Sequence, residues 1–371
     1  MARLPARAIG PGDEGVSPVI GTVFVLAITV LGIVGVLFWG APTIDRIQSR
    51  NAKVAMEGEF EGLRDASQEL SVPDHSRFPT LAVPSGNLGL QQGSRFLVAA
   101  NHDAAHTGCD LHVTDWSDSG ADKDKVTVSA SGCRSILISG TPTASQALLE
   151  VYSVGGTTTV RQTVVANGGY QVVGADFSKG DWMFRLTDGA SGTPVVYAEA
   201  WLHSTDDVTW NLKSSTGTWD LYLDGGAIFS RNGGTYFLEK AAPIGDSAFG
   251  KNYTGLWLRT LVASGYRSLS GQASHQVYLS LLGNSFRVDN STVYKVRIDI
   301  SGTLSQAWCN ALVGRNPAIT GTWAAYTASA GYTCESGDAQ GLRSVVFAPT
   351  AANAAFQFRF LHARITTSLS V

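Results

Sequence analysis

The densest run of side chains able to bind a metal or move a proton is Asn101-His102-Asp103-Ala104-Ala105-His106-Thr107-Gly108-Cys109-Asp110-Leu111-His112. His102 and His106 are four apart, a spacing that on a helix turns both imidazoles to one face, with Asp103, Asp110 or His112 to complete a ligand set. The surroundings argue otherwise. The run follows a strand-like stretch and holds Gly108 beside a cysteine, so a polar loop without a metal is the expectation. Acidic residues gather at Asp118, Asp122 and Asp124, and again at Asp206 and Asp207. Neither group has the spaced carboxylates and central glycine of an EF-hand loop, and both read as solvated turns. No Gly-x-Ser-x-Gly elbow, phosphate loop or dinucleotide fingerprint occurs, so no catalytic residue, cofactor or metal ligand is assigned and no enzyme is expected. A glycosidase carboxylate pair assembled only in space would escape such a search. Trp201, Trp210, Trp219 and Trp257 are among nine tryptophans that offer stacking surfaces for sugars, although in a β-rich chain most belong to the core.

Cysteines stand at 109, 133, 309 and 334. Two local pairs of similar separation, Cys109–Cys133 and Cys309–Cys334, are expected, one staple in each half of the head, although four cysteines allow three pairings. Each loop of about 25 residues would contribute roughly 3 kcal/mol through lost chain entropy. The absence of any Cys-x-x-Cys argues against zinc.

These residues must be positioned by a chain of 371 residues, 44% hydrophobic and 15% charged, which is ample for a folded core. Twenty-seven basic against 30 acidic residues, a formal net charge of −3, exclude a basic groove for nucleic acid. From Val16 to Ile44 there is no Asp, Glu, Lys or Arg, and Val19 to Trp39 is almost wholly apolar. About 20 such residues in a helix cross the ~30 Å hydrocarbon layer, whereas a secretory signal holds only about 7–15. Pro42 should kink or restart the helix. Beyond it Ile44, Ile47, Val54, Leu63, Ala66 and Leu70 recur at helical spacings among charged residues, predicting an amphipathic stalk over 42–72 that Pro73 ends.

From residue 76 onward the texture changes to short alternating runs rich in β-branched and aromatic residues, such as Leu149-Glu150-Val151-Tyr152 and Phe356-Gln357-Phe358-Arg359-Phe360, separated by turn residues such as Asp224-Gly225-Gly226. The expected fold is an N-terminal hydrophobic α-helix followed by a mostly antiparallel, β-sandwich-like head. The head's length suggests two subdomains, 76–245 and 246–371, with the seam near the small-residue stretch Lys240 to Asn252. A short helix is predicted over Thr303 to Val313, with Leu304, Trp308 and Leu312 on one face.

The segment Asp13-Glu14-Gly15-Val16-Ser17-Pro18-Val19-Ile20-Gly21-Thr22 resembles the N-terminus of archaeal type IV pilins and pilin-like proteins, over about residues 13–40. Their precursors carry a short polar leader and a Val-Ser-Pro-Val-Ile-Gly-like opening to the hydrophobic segment. The resemblance implies a leader over 1–15, cleavage between Gly15 and Val16 by a prepilin peptidase, and a retained membrane or filament-core helix over 16–41. Both residues before Gly15 are acidic here, where the family often has a basic one. The implied partners are membrane lipid and pilin-like subunits, with adhesion or surface attachment as the work and a surface glycan or other cell-surface molecule as a ligand class. So large a head suits a minor or tip subunit, or a pilin-like protein held in the membrane.

Export of the head is the expected topology, although Arg46, Arg50 and Lys53 outnumber Arg3 and Arg7 across the span. The even cysteine count and two glycosylation sequons, at Asn252 and Asn290, favour the outside. The alternative is a single-span anchored extracellular module that binds or hydrolyses a substrate, carbohydrate among the classes.

Overall fold

The computed structural model describes residues 18–70, 75–117, 125–133, 148–153, 163–165, 169–174, 181–188, 193–215, 217–232, 234–241, 253–313, 333–336, 341–347 and 355–370. In chain order the elements are α1 (Pro18–Gln68), β1 (Ser76–Arg77), β2 (Thr80–Val83), β3 (Asn87–Asn101), β4 (Asp110–Ser117), β5 (Lys125–Ser131), β6 (Leu148–Ser153), β7 (Thr163–Val165), β8 (Gly169–Gly174), β9 (Trp182–Thr187) and β10 (Val196–Ser214). There follow β11 (Gly217–Asp224), β12 (Ala227–Asn232), β13 (Thr235–Lys240), β14 (Tyr253–Ala263), β15 (Ser268–Ser270), β16 (Ala273–Val293), β17 (Lys295–Ser301), α2 (Ser305–Leu312), β18 (Thr333–Ser336), β19 (Arg343–Phe347) and β20 (Phe356–Ser370). A long apolar helix leading into a mostly antiparallel β head is the architecture expected from the sequence.

Two compact units divide the chain, one of residues 1–51 with 214–217, the other of 52–213 with 218–371. In the first, the hydroxyls of Thr22, Thr29 and Thr43 donate to the carbonyls of Val19, Val25 and Trp39 on the same helix, so each of these hydroxyls is satisfied within the helix. Asp45 accepts from both the amide and the hydroxyl of Ser215, and those bonds hold its carboxyl below the usual range. α1 is one helix through Pro42 and ends at Gln68. Of the kink or restart expected at Pro42, a restart is absent, and the end falls before Pro73.

In the second unit three sheets are formed by the described residues. One has the order β1-β16-β20-β14 with β2 on β16; a larger one runs β13-β12-β11-β10-β3-β17-β19-β18; the third runs β4-β5-β8-β7. Only β14 against β20 is parallel among the described pairs, joined over Tyr253–Ala263 to Gln357–Thr367. Strand β3 is buried without interruption from Ser94 to Asn101 because both its faces are covered. Phe96, Val98 and Ala100 point into a core shared with Leu256, Phe358, Phe360 and α2, while Leu97 and Ala99 meet Leu111, Val113, Val126 and Val128 of the third sheet.

The helical residues that enter the core of this unit are Ala52, Met56, Phe60 and Leu63, packed with Leu81, Trp210, Leu279 and Ile365. Of the stripe predicted from sequence, Leu63 and Leu70 are buried but Ile44, Ile47 and Val54 are exposed. A second series at the same spacing, 52-56-60-63, fits the sheet surface instead.

A seam near 246 does not separate two subdomains. β17 lies between β3 and β19, and β16 pairs with β1 and β2 from before that point, so residues on either side share the same sheets and core. Interleaved hydrogen-bond ladders cannot part without exposing unpaired backbone groups.

Candidate functional site

The first candidate element is the N-terminal half of α1. Val19, Phe24, Leu26, Ile28, Leu31, Val34, Leu37, Phe38 and Trp39 are all more than half exposed, and they occupy every side of the helix. A helix that is apolar all round requires a nonpolar surrounding, since exposed apolar area disfavours water by roughly 25 cal/mol per Å². Of the motif residues, Pro18 opens the described helix and Val19, Ile20 and Gly21 lie in its first turn. Gly15, Val16 and Ser17 lie outside the described residues.

Both expected disulfides are present and no cysteine is free. Cys109–Cys133 ties the start of β4 to the end of β5, and Cys309–Cys334 ties α2 to β18. α2 itself matches the predicted short helix, with Leu304, Trp308 and Leu312 buried.

The histidine-rich run forms a loop, as expected, and its imidazoles go to separate partners. His102 reaches Glu199 Oε1 at 3.1 Å and the Thr292 carbonyl at 3.1 Å, whereas His106 Nδ1 is 3.0 Å from Asp103 Oδ2. Asp110 instead takes Lys295 and Arg297, and Arg297 also holds Asp299, whose other oxygen accepts from the amide of Val113. That network fastens the third sheet to the large one.

Asp206 and Asp207 are not in a turn. They occupy the middle of β10, where alternation sends them to opposite faces. Asp206 accepts from the Ala263 amide and the Tyr266 hydroxyl. Asp207 is buried beside Asp224, and burial raises both carboxyls. Asp224 Oδ2 accepts from Ser94 and, at 2.8 Å, from Trp308 Nε1. A register shift opposite Gly93 and Ser94 makes room for this pair. A Cβ on Gly93 would fall 2.0 Å from Asp207 Oδ1.

Two of the four tryptophans considered as stacking surfaces lie in the core. Trp201 and Trp210 are fully buried, and Trp210 Nε1 donates to the Ser85 carbonyl at 2.7 Å. Trp219 and Trp257 are half-buried. Asn290 lies within β16, while Asn252, Asp118, Asp122 and Asp124 lie outside the described residues.

A further cluster unites residues far apart in the chain. Asp181 precedes β9, His203 lies on β10 and His362 on β20, and donor atoms of all three fall within 4.8 Å of one another. His203 Nδ1 is 2.8 Å from Asp181 Oδ1, and His362 Nδ1 is 3.7 Å from Asp181 Oδ2. The two imidazoles stack with centroids 3.7 Å apart. Arg287 Nη2 lies 3.4 Å from Asp181 Oδ2 and 3.3 Å from His362 Nδ1, and Thr260 Oγ1 is 2.9 Å from His362 Nε2. Burial lowers both histidines. Burial opposes ionisation of Asp181, but the hydrogen bond and charge of His203, with His362 and Arg364 behind it, hold its carboxyl below the usual range. No local motif marks this cluster. The only sequence signal is two histidines, each in an alternating strand at an inward position.

No known protein family, curated protein or solved structure matches the chain. The features above define a protein with an apolar N-terminal helix able to cross a membrane and a disulfide-linked β head.

Proposed function

We propose that the chain is a pilin-like cell-surface protein, its apolar helix inserted in the membrane or packed against copies of itself and its β head outside the cell. A minor or tip subunit for adhesion or surface attachment is the favoured role. The observation that carries this reading is the N-terminal half of α1, apolar on every side, with its hydroxyls bonded to its own backbone. The sequence Gly15-Val16-Ser17-Pro18-Val19-Ile20-Gly21 supports retention of that helix after removal of a leader. Paired cysteines favour an oxidising compartment for the head.

Mass spectrometry of the native N-terminus and assay of sheared surface filaments test the proposal. Cleavage before Val16, with protein in the membrane or filament fraction, is the expected result. A chain that begins at Met1 and is recovered wholly in membranes would favour a plain single-span anchor carrying a binding or hydrolytic module. A soluble cytosolic chain with free thiols would overturn both.

A further inference from the structure

We propose that Asp181, His203 and His362 form a binding site for one divalent transition-metal ion of the zinc class, which takes the position held by the Arg287 guanidinium. The donor set is two imidazole nitrogens and one carboxylate oxygen, which suits zinc and its neighbours and not calcium or magnesium, whose ligands are oxygen. Zinc bonds of about 2.0–2.1 Å in a tetrahedron place neighbouring donors roughly 3.3 Å apart. The separations of His203 Nδ1 from Asp181 Oδ1 and of His362 Nδ1 from Asp181 Oδ2, 2.8 and 3.7 Å, bracket that value. Because the two rings stack, the geometry is completed when the His203 ring, whose Nε2 has no hydrogen-bond partner among the described residues, turns out of the stack so that each Nδ1 meets the ion in its own ring plane.

The surroundings resemble those of a metal-binding histidine. Thr260 Oγ1 on His362 Nε2 fixes that ring and leaves Nδ1 turned to Asp181, the outer-shell arrangement that orients an imidazole ligand. Both rings are almost fully buried, 0% and 1% exposed, and Asp181 supplies the negative charge beside them. A cation already stands there: Arg287 Nη2 bridges Asp181 and His362 over two long contacts, while its Nε has no hydrogen-bond partner among the described residues. The side chain is 15% exposed, so the guanidinium can leave toward solvent. An ion in its place would join β10 to β20, strands of the two facing sheets, through the segment ahead of β9.

The test uses the full chain in detergent, stripped of metal and titrated with cobalt(II), then zinc. Wild type should develop visible d–d bands that saturate at one cobalt per chain and are lost when zinc displaces it. Arg287→Met should bind about tenfold or more tightly, because a positive charge leaves the site. His203→Gln and His362→Gln should each lose the bands, while a His102→Ala/His106→Ala double variant should keep them. Zinc should raise the wild-type unfolding midpoint and leave that of His362→Gln unchanged. Absence of saturable cobalt bands in wild type overturns the proposal, even where Arg287→Met binds, because Arg287 is then the resident cation. Binding that survives both glutamine variants, or vanishes in the His102/His106 variant, places the ion elsewhere and overturns it equally. Should a glutamine variant fail to fold, the wild-type titration and the His102/His106 control still decide.

Discussion

Replacing Trp308 with Phe isolates the hydrogen bond that anchors the buried carboxyl pair. Trp308 is 1% exposed and stands edge-on to Phe96 and Phe229 with ring centroids 5.3 and 5.2 Å away. Its Nε1 donates to Asp224 Oδ2 at 2.8 Å. Losing a bond to a buried charged acceptor costs about 1.5–3 kcal/mol. The void left by the smaller ring adds roughly 1–2 kcal/mol. A total of about 3–5 kcal/mol is therefore expected. Trp219→Phe is the control: that residue is half-buried and its Nε1 has no partner among the described residues, so the same change should cost only about 1 kcal/mol. Guanidinium denaturation followed by far-ultraviolet circular dichroism reads the difference, provided the slope with denaturant is unchanged. A cycle with Asp224→Asn should return a coupling of about 1 kcal/mol or more between positions 224 and 308. Equal costs for the two tryptophans, or additive effects in the cycle, would refute the assignment of that bond.

Asp207→Asn should stabilise the head at neutral pH. Burial, then the Asp224 charge, raise the Asp207 carboxyl well above 3.8, so the folded state binds a proton that the unfolded chain releases. The stability this contributes is complete below pH 3.8 and lost as pH rises through the folded value, and the variant should show a flatter midpoint against pH. Gly225→Ala should destabilise by about 1–3 kcal/mol in thermal or chemical melts, since φ is +54° and a Cβ would meet Trp308 Cζ2 at 2.9 Å. Cys109→Ala with Cys133→Ala, separated by 24 residues, should cost about 3 kcal/mol, an effect that reduction of the wild type reproduces in part.

The apolar segment could be read directly because it is contiguous: length and absence of charge are properties of consecutive residues. The same is true of α2, whose Leu304, Trp308 and Leu312 repeat on one face, and of strands such as β20, buried at alternate positions along its length. The disulfides were legible because each bridges a local pair of positions. Periodicity alone failed for the stalk, where two apolar series at helical spacing compete and the packed sheet accepts Ala52, Met56, Phe60 and Leu63 over Ile44, Ile47 and Val54.

Strand partners are a different matter, because the order of a sheet is fixed by which buried faces cover one another. Hence β17 stands between β3 and β19, and no seam forms near 246. Asp207 looked like half of an exposed acidic pair, but the period of two along β10 buries it opposite its neighbour's face. His203 and His362 lie in strands of different sheets, and only the closing of those sheets on one another brings their rings to 3.7 Å with Asp181 between them. Local pattern settles the length and the inner face of each element. Long-range packing settles which charged groups meet once water is excluded.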